Sequence, residues 1–230
     1  MSNNITLSQD EQQIIYGGLL GDATLRKKQN SIRFCQSVKQ KEYLKWKYSF
    51  FNANVSEITI QQYQANGKYK NDYQTISFSI NNPNHILDDF YHNLRKIILD
   101  KDGNKKVTKD LLYKLNPLGL AIWWMDDGCL SIHDGNRYGK LCTHGFTYNE
   151  NIIIKEYFKE VWDIDVDIKT EKQKYYFCRI NVHNLKKLIS IIYPYVTQVP
   201  SMIYKIDLDY KMASYIGDFL PIYNYIKQCS

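Results

Sequence analysis

Two apolar segments of similar sequence recur at a fixed distance in this chain. Residues 14–23 read IIYGGLLGDA and residues 119–128 read GLAIWWMDDG, and each segment ends in an aspartate followed by a small residue. The two aspartates, Asp22 and Asp127, are 105 residues apart. Internal similarity at a fixed spacing is the mark of a duplicated unit whose copies pack against each other. The sequence therefore predicts two halves of one fold, related by a pseudo-twofold axis.

The hydropathy patterns after the two apolar segments also repeat in the same order. Each segment is followed by polar strands, a stretch with apolar residues three to four apart, tyrosine-rich strands and a second helical stretch. Each half therefore reads αββαββα, which predicts an α+β fold with antiparallel sheets. The predicted organisation is an N-terminal repeat over 1–104, a linker over 105–118 and a C-terminal repeat over 119–230.

Alignment of the two apolar segments separates the neighbouring aspartates Asp126 and Asp127. Asp22 pairs with Asp127, whereas Asp126 falls opposite Gly21. The repeated carboxylate is therefore Asp127, and Asp126 alone is interpreted as an ordinary polar residue at a helix end.

Helices that end at Asp22 and Asp127 place each carboxylate beside carbonyl groups that have no partner within the helix. That negative end favours a cation, and carboxylate and carbonyl oxygens are the ligands of a hard ion such as Mg²⁺ or Mn²⁺. The predicted metal positions are Asp22 with Ala23, and Asp127 with Gly128. Gly128 also suits a left-handed helix cap.

Small residues in the first apolar segment predict close contact between the two helices. Gly17 and Gly21 are four residues apart on one face, Gly18 lies beside them, and Ala121 is a small residue of the second segment. The alternative to a metal site is a buried helix pair in which these small residues serve packing alone.

The charge of the chain is compatible with a nucleic-acid partner. The net charge is +6, and residues 1–115 carry the whole excess, with 17 basic and 11 acidic groups. Lysine and arginine interleaved with Tyr, Gln, Asn and Ser suit a surface that contacts phosphates and base edges. A protein that is basic for other reasons fits the same composition.

Other site classes find little support in the sequence. The five cysteines form no CxxC pair, and the spacing of Cys129, Cys142 and His144 matches no common zinc finger. No apolar run reaches the roughly 20 residues that a membrane span requires. The sequence thus predicts no membrane partner.

The two segments resemble a known motif once they are placed side by side. LAIWWMDDG at residues 120–128 and IYGGLLGDA at 15–23 are similar to the nine-residue motif of LAGLIDADG homing endonucleases. Two motifs about a hundred residues apart resemble the single-chain, pseudo-symmetric branch of that family. The resemblance implies a monomer with central packed motif helices and two antiparallel sheets that form a saddle over DNA. Ala23 departs from the motif, which ends in glycine, and Ile122 and Trp124 stand where it favours small residues.

The resemblance also implies roles for particular residues. Asp22 and Asp127 would hold Mg²⁺ or Mn²⁺ for phosphodiester hydrolysis, one strand for each site. Lys106 and Lys205, 84 and 78 residues beyond their aspartates, are the candidate catalytic lysines. A solvated surface lysine is the alternative for each.

Strand residues would read the DNA, because a two-stranded ribbon fits the major groove and presents alternate side chains to the bases. About half of the candidates should face away from the DNA, since alternation alone does not fix the side. The candidates are Arg26, Lys28, Arg33, Gln36, Gln61, Gln62, Lys68, Lys70, Tyr73, Gln74, Arg137, Lys140, Lys169, Lys172, Lys174, Tyr175 and Arg179. The unequal charge suggests that the first half binds phosphates more strongly.

The expected activity is that of a site-specific double-strand DNA endonuclease of a mobile intron, with a long asymmetric target. The alternative on the same fold is an RNA maturase that binds intron RNA, or a DNA-binding protein that does not cleave. An organelle and a bacterial or phage-infected cell are equally compatible with the sequence.

Overall fold

The computed structural model describes residues 7–26, 29–65, 71–133 and 136–206. Within them, the two halves follow one order of elements and are joined by a short helix, α4 (Lys109–Leu112). The first half consists of α1 (Gln9–Leu20), β1 (Thr24–Leu25), β2 (Ile32–Ser37), α2 (Lys41–Tyr48), β3 (Thr59–Tyr63), β4 (Tyr73–Ile80) and α3 (Asp88–Ile98). The second half consists of α5 (Pro117–Asp127), β5 (Gly128–His133), β6 (Asn136–Leu141), α6 (Tyr148–Trp162), β7 (Asp167–Glu171), β8 (Tyr175–Asn181) and α7 (Val182–Val196).

Each half contains a four-stranded antiparallel sheet of the same topology. The strand orders are β1-β2-β4-β3 and β5-β6-β8-β7. In each half the fourth strand therefore lies between the second and the third, and the third strand is at the edge. The prediction of an α+β fold made of two αββαββα repeats is confirmed. The boundaries at residues 104 and 118 stay a prediction, although α5 begins at Pro117.

Local sequence signals explain where the helices of each half begin. Ser8 and Glu11 form a capping box at α1, and Thr147 and Glu150 form another at α6. Asn116 caps α5, where Pro117 occupies a first-turn position that needs no backbone donor.

The two motif helices end differently from each other. Asp127 is the last residue of α5, whereas Asp22 lies two residues beyond the end of α1. Gly128 has φ −79° and ψ 149°, so the prediction of a left-handed cap at this residue is wrong. The chain passes directly from α5 into β5 in extended conformation. Glycine is needed there for space, because an added Cβ would lie 2.3 Å from the Trp124 ring.

Helices α1 and α5 pack in direct contact at the centre of the molecule. A Cβ on Gly17 would lie 2.3 Å from the carbonyl oxygen of Gly119 and 2.8 Å from the Cβ of Ile122. A Cβ on Gly21 would lie 2.5 Å from the Cβ of Asp126. Gly17 with Ile122, and Gly21 with Asp126, are residues 105 apart, so each meets its own equivalent. That pairing is what a twofold axis between the helices requires.

The predicted interface is partly revised by these contacts. Gly18 faces β2 rather than α5, since an added Cβ would lie 2.6 Å from the Phe34 ring. Ala121 is fully buried, and Gly119 is an interface glycine that the motif comparison missed. Its missing side chain makes room for Gln13, which accepts a hydrogen bond from the Asn116 N–H.

The two tryptophans of α5 pack into the core on the side of the second half. Trp123 and Trp124 are fully buried. The Trp124 indole donates to the carbonyl oxygen of Lys205 at 3.0 Å, which fixes the chain after α7 against the motif helix. Among the described residues, no helix is both long and apolar enough to cross a membrane.

Candidate active site at the ends of the motif helices

Three carboxylates meet where α1 and α5 end. Asp22 and Asp127 come from equivalent positions of the two motifs, and Asp126 extends from α5 toward Gly21. Asp22 keeps access to solvent, whereas the Asp126 side chain is completely buried. Buried carboxylates this close raise the free energy of each other's charged form unless cations lie near.

Asp126 is not the ordinary helix-end residue that the sequence suggested. Its Oδ1 accepts from Lys47 Nζ at 2.7 Å and from the Tyr43 hydroxyl at 2.9 Å, and its Oδ2 accepts from the Asp22 backbone N–H at 3.2 Å. Lys47 is 1% exposed, so the pair is a fully buried salt bridge. The partners Lys47 and Tyr43 both lie on α2 and were not recognised from the sequence.

The pKa values of the two motif aspartates are raised. Burial raises the pKa of Asp22 first and the Asp126 charge raises it further, while Lys47, a hydrogen bond from Gln36, and Lys105 lower it. Burial raises the pKa of Asp127 to about 7, with added repulsion from Asp126 and Asp22 that Lys105 and Lys205 oppose. Negative charge concentrated here favours binding of a cation.

Two lysines contact the ends of the motif helices. Lys105 Nζ donates to the carbonyl oxygen of Gly21 at 2.6 Å. Lys205 Nζ donates to the carbonyl oxygens of Gly128 at 2.6 Å and of Asp126 at 3.4 Å. Because Gly21 and Asp126 are equivalent positions, Lys105 and Lys205 are pseudo-symmetric partners of the two sites.

The lysine of the first site is thus Lys105 and not Lys106. Lys105 forms a β-bridge with Leu99, and the N–H of Lys106 donates to the carbonyl oxygen of Ile98. In an extended segment adjacent side chains point to opposite sides, so a one-residue error in counting places the wrong ammonium at the site. Lys205 lies at the end of α5, and its catalytic role stays a prediction.

The oxygen donors fit a hard divalent ion better than a soft one. Each motif supplies one carboxylate, a donor that Mg²⁺ and Mn²⁺ accept alongside water. The helix-end carbonyl oxygens of Gly21 and Gly128 already accept hydrogen bonds from Lys105 and Lys205. Ala23 and Gly128, the predicted carbonyl positions, directly follow Asp22 and Asp127. Within the described residues, no group of three or more His, Cys, Asp and Glu side chains forms a metal site. An ion here would therefore depend on other oxygen ligands, such as water or phosphate.

The cysteine and histidine cluster of the second half forms hydrogen bonds within the protein. A hydrogen bond with the Cys142 thiol lowers the pKa of Cys129 to about 6. His144 Nε2 lies 2.9 Å from Glu171 Oε2, which also accepts from Lys140.

Strand register divides the predicted DNA contacts of the first sheet between its two faces. Ile32, Phe34 and Gln36 are the buried residues of β2, so Arg33 lies on the opposite, open face. Pairing of β2, β3 and β4 places Gln61 and Tyr73 on the same open face as Arg33. Gln62 and Gln74 pair with each other on the other face.

Gln36 is a correction to the predicted DNA contacts. It is 5% exposed, and its Nε2 lies 3.4 Å from Asp126 Oδ1 on the core side of β2. Its Oε1 is buried without a hydrogen-bond partner. The residue therefore belongs to the surroundings of Asp22 and not to the open face.

The second sheet carries more of the predicted contacts on its open face. Lys140 pairs with Arg179 and Lys169 with Phe177, which places these residues with Tyr175 on one face. Arg137 alternates along β6 with the buried residues Gly139 and Leu141, so it lies on the core side of the sheet and not on the open face. Lys172 and Lys174 lie in the turn between β7 and β8, and Arg26 follows β1. Lys28, Lys68 and Lys70 lie outside the described residues.

The charges on the two open faces differ. On the described part of the first sheet, Arg33 is accompanied by neutral polar residues such as Gln61 and Thr75. The second sheet presents Lys140, Lys169 and Arg179, partly neutralised by Glu171 and Asp167. The first half has the larger excess of basic residues, but the described part of its open sheet face carries fewer basic side chains than that of the second half.

Comparison with known proteins decides the family. A model of the LAGLIDADG DNA endonuclease family matches residues 12–188, which contain most of α1, all of α5 and both sheets. The chain belongs to this LAGLIDADG family. The solved structure of the homing endonuclease I-WcaI bound to its DNA recognition sequence has the same fold, with a TM-score of 0.75 and 22% identity over 89% of each chain.

The proteins similar to this chain in sequence include a maturase and a RecA protein. The cytochrome b mRNA maturase bI2 of Debaryomyces hansenii is 28% identical over 88% of this chain and 76% of its own length. The protein RecA of Mycobacterium shimoidei is 27% identical over 87% of this chain. This chain covers 47% of that RecA protein, about half its length.

Proposed function

We propose that this protein is a site-specific endonuclease that cuts both strands of a long, asymmetric DNA target of a mobile intron. The observation that carries the proposal is the repeated constellation at the two helix ends. Each motif brings one carboxylate, Asp22 or Asp127, together with one lysine, Lys105 or Lys205, bonded to the helix-end carbonyls. A pure packing role for the motif helices leaves unexplained why two lysines, one partly and one largely buried, bond to equivalent helix ends.

The residues of each site have distinct chemical tasks in this proposal. Asp22 and Asp127, together with water or phosphate oxygens, would hold Mg²⁺ or Mn²⁺. A bound ion supplies a Lewis acid for the phosphodiester and a water of lowered pKa. Lys105 and Lys205 neutralise charge that develops on the phosphate oxygens, as preorganised cations do in other phosphoryl-transfer sites. Gln36 can hydrogen-bond a water molecule at the first site through its unpartnered Oε1.

The open sheet faces are the proposed DNA-binding surface, with the protein acting as a monomer. Arg33, Gln61 and Tyr73 of the first sheet would contact the target, together with Lys140 and Arg179 of the second. Their different chemistry in the two sheets favours a target without palindromic symmetry.

The second candidate function is that of a maturase. Similarity to the cytochrome b mRNA maturase bI2 favours it, because the match covers 88% of this chain and 76% of that protein. Binding of intron RNA and cleavage of DNA are compatible with one fold, so retained aspartates do not decide between them.

Cleavage of a plasmid library with random inserts tests the proposed function without a known target. Purified protein is incubated with the library in Mg²⁺, Mn²⁺ or EDTA, and linear products are recovered and sequenced at their ends. We expect one enriched sequence, cut only when the metal is present. Asp127→Asn should leave nicked circles of the recovered plasmid. Asp165→Asn, a change in an exposed surface ion pair with Lys159, is the matched control and should cut normally.

Absence of any enriched cut in Mg²⁺ and Mn²⁺ would contradict the endonuclease. Tight, specific binding of a structured intron RNA by the same preparation would then support the maturase.

A further inference from the structure

We propose that the buried pair Asp126 and Lys47 is a positioning device for the Asp22 site, and that it biases the relative rates of cutting of the two DNA strands. This inference rests on the proposed endonuclease function. It assigns a role to Asp126 that neither its place in the motif nor the repeat indicates.

The first step is the link between the two halves. Asp126 Oδ2 accepts a hydrogen bond from the backbone N–H of Asp22 at 3.2 Å. The peptide unit that carries the carboxylate of the first site is therefore held by a side chain from the motif helix of the second half. A displacement of the Asp126 side chain would therefore shift the backbone that carries Asp22, because the hydrogen bond joins the two directly.

The second step is the orientation of Asp126 itself. Three donors surround its Oδ1, namely Lys47 Nζ at 2.7 Å, the Tyr43 hydroxyl at 2.9 Å and Gln36 Nε2 at 3.4 Å. The Lys47 ammonium also lies 4.0 Å from the centre of the Tyr43 ring. These contacts leave the carboxylate a single orientation, in which Oδ2 points to Asp22.

The third step is charge. A buried carboxylate without a cation is costly, and a buried lysine without an anion is equally so. Lys47 neutralises Asp126, so that the pair adds hydrogen bonds near Asp22 with little net charge. Loss of either partner leaves an uncompensated charge beside Asp22, in the place where a divalent ion would approach.

The fourth step is asymmetry. The position equivalent to Asp126 in the first motif is Gly21, which has no side chain and lies against Asp126. The N–H of Asp127 thus receives no matching contact from the first motif. The side-chain hydrogen bond therefore holds the backbone of the Asp22 site, whereas Asp126 affects Asp127 through its charge.

Strand-specific cleavage of a recovered target tests this inference. The probe is a duplex of the sequence obtained from the plasmid library, with a different dye on each strand, in saturating Mg²⁺. Asp22→Asn first identifies the strand cut at the Asp22 site, because that strand stays intact. Rates for both strands are then compared in the wild type, Asp126→Asn, Lys47→Met and the double variant.

We expect Asp126→Asn to slow the strand of the Asp22 site about tenfold or more relative to the other strand, since small displacements of a reacting group have effects of this order. Lys47→Met should show the same bias. The double variant should recover part of the loss, because it removes both unpaired charges and keeps an amide oxygen for the Asp22 N–H.

A role in stability alone gives a different result. It would lower the melting temperature and slow both strands by the same factor, and that outcome would overturn the inference. If Asp126→Asn fails to fold, Tyr43→Phe removes one hydrogen bond to Asp126, and it should produce the same bias at smaller size. A ratio of the two strand rates equal to that of the wild type, in folded Tyr43→Phe and in the double variant, would also overturn it. Failure of the wild type to cut either strand would instead refute the endonuclease function.

Discussion

The two halves of the molecule place the same residue types at their helix ends and then surround them differently. The first site has Asp22 open to solvent, with Gln36 and the Lys47 and Asp126 pair beside it. The second site has Asp127 and Lys205, whose charges also act on the nearby thiols of Cys142 and Cys129. Burial raises the pKa of Asp127 to about 7. A duplicated motif therefore fixes the position of a carboxylate and of a lysine, while neighbouring elements decide the electrostatics of each site.

Removal of one motif carboxylate at a time is the strongest test of whether the two sites act separately. Asp22→Asn and Asp127→Asn should each reduce cleavage of one strand by about a thousandfold, because loss of a charged metal ligand removes several kcal/mol of transition-state stabilisation. Gel analysis of a supercoiled plasmid carrying the target should show nicked circles in both cases. The two variants must spare opposite strands. Loss of both strands in either variant would show that the sites do not act separately.

Replacement of Lys105 or Lys205 tests how much the ammonium group contributes to cleavage at each site. Lys105→Met and Lys205→Met should each slow one strand by about a hundredfold, the usual effect of removing one preorganised electrostatic group. Lys106→Met is the matched control, since its backbone N–H bonds to Ile98 and the Gly21 carbonyl is held by Lys105. Single-turnover rates for each strand provide the measurement. A large effect at Lys106 with none at Lys105 would contradict the geometry.

The pH dependence of the two strands sharpens the electrostatic difference. Asp127 must lose its proton to bind a cation, and its pKa of about 7 means that this strand slows up to about tenfold per pH unit below that value. Lys47 and Gln36 oppose the rise in the pKa of Asp22, so the other strand should retain its rate to lower pH. Rates at limiting Mg²⁺ between pH 5.5 and 8.5, about the range over which such groups titrate, test this expectation. Identical profiles for both strands would contradict it.

The same raised pKa predicts a sign for stability. The native protein binds a proton at Asp127 that the unfolded chain releases, so in EDTA the free energy of unfolding should fall as pH rises from about 4 to about 7. Asp127→Asn should then be more stable than the wild type at pH 8, by about 1 to 3 kcal/mol, an order-of-magnitude value. Urea unfolding at two pH values provides the comparison. If Asp127→Asn is less stable than the wild type in EDTA at high pH, the raised pKa of Asp127 is contradicted.

Neighbouring glutamines on β3 give the smallest expected effect. Gln61 lies on the open face and accepts from Arg33 at 3.1 Å, whereas Gln62 points to the other face. Gln61→Ala should weaken binding of the recovered target by about 1 kcal/mol, or roughly fivefold, and Gln62→Ala should leave it unchanged. Fluorescence anisotropy at fixed salt measures both. An equal loss in the two variants would mean that the open face is not the DNA surface.

The sequence predicted the fold well because the repeat and the hydropathy periods are long-range and redundant signals. Asp22 and Asp127 were found for the same reason, since each motif supports the other. Lys105 was missed by one residue because no local pattern sets the register of the segment that begins after α3. The roles of Gln36 and Asp126 depend on which side of β2 and of α5 faces the core, and only tertiary packing settles that.

The glycine opposite Asp126 has a consequence for how the two halves pair. Two copies of the first half would bring Gly17 and Gly21 against their own equivalents and leave gaps along the helix contact, where Ile122 and Asp126 now fill the space. Two copies of the second half would force Asp126 against another Asp126, with like charges in contact. Each half therefore presents to its sibling a contact surface that differs from its own. Separated genes for the two halves should yield a heterodimer in preference to either homodimer.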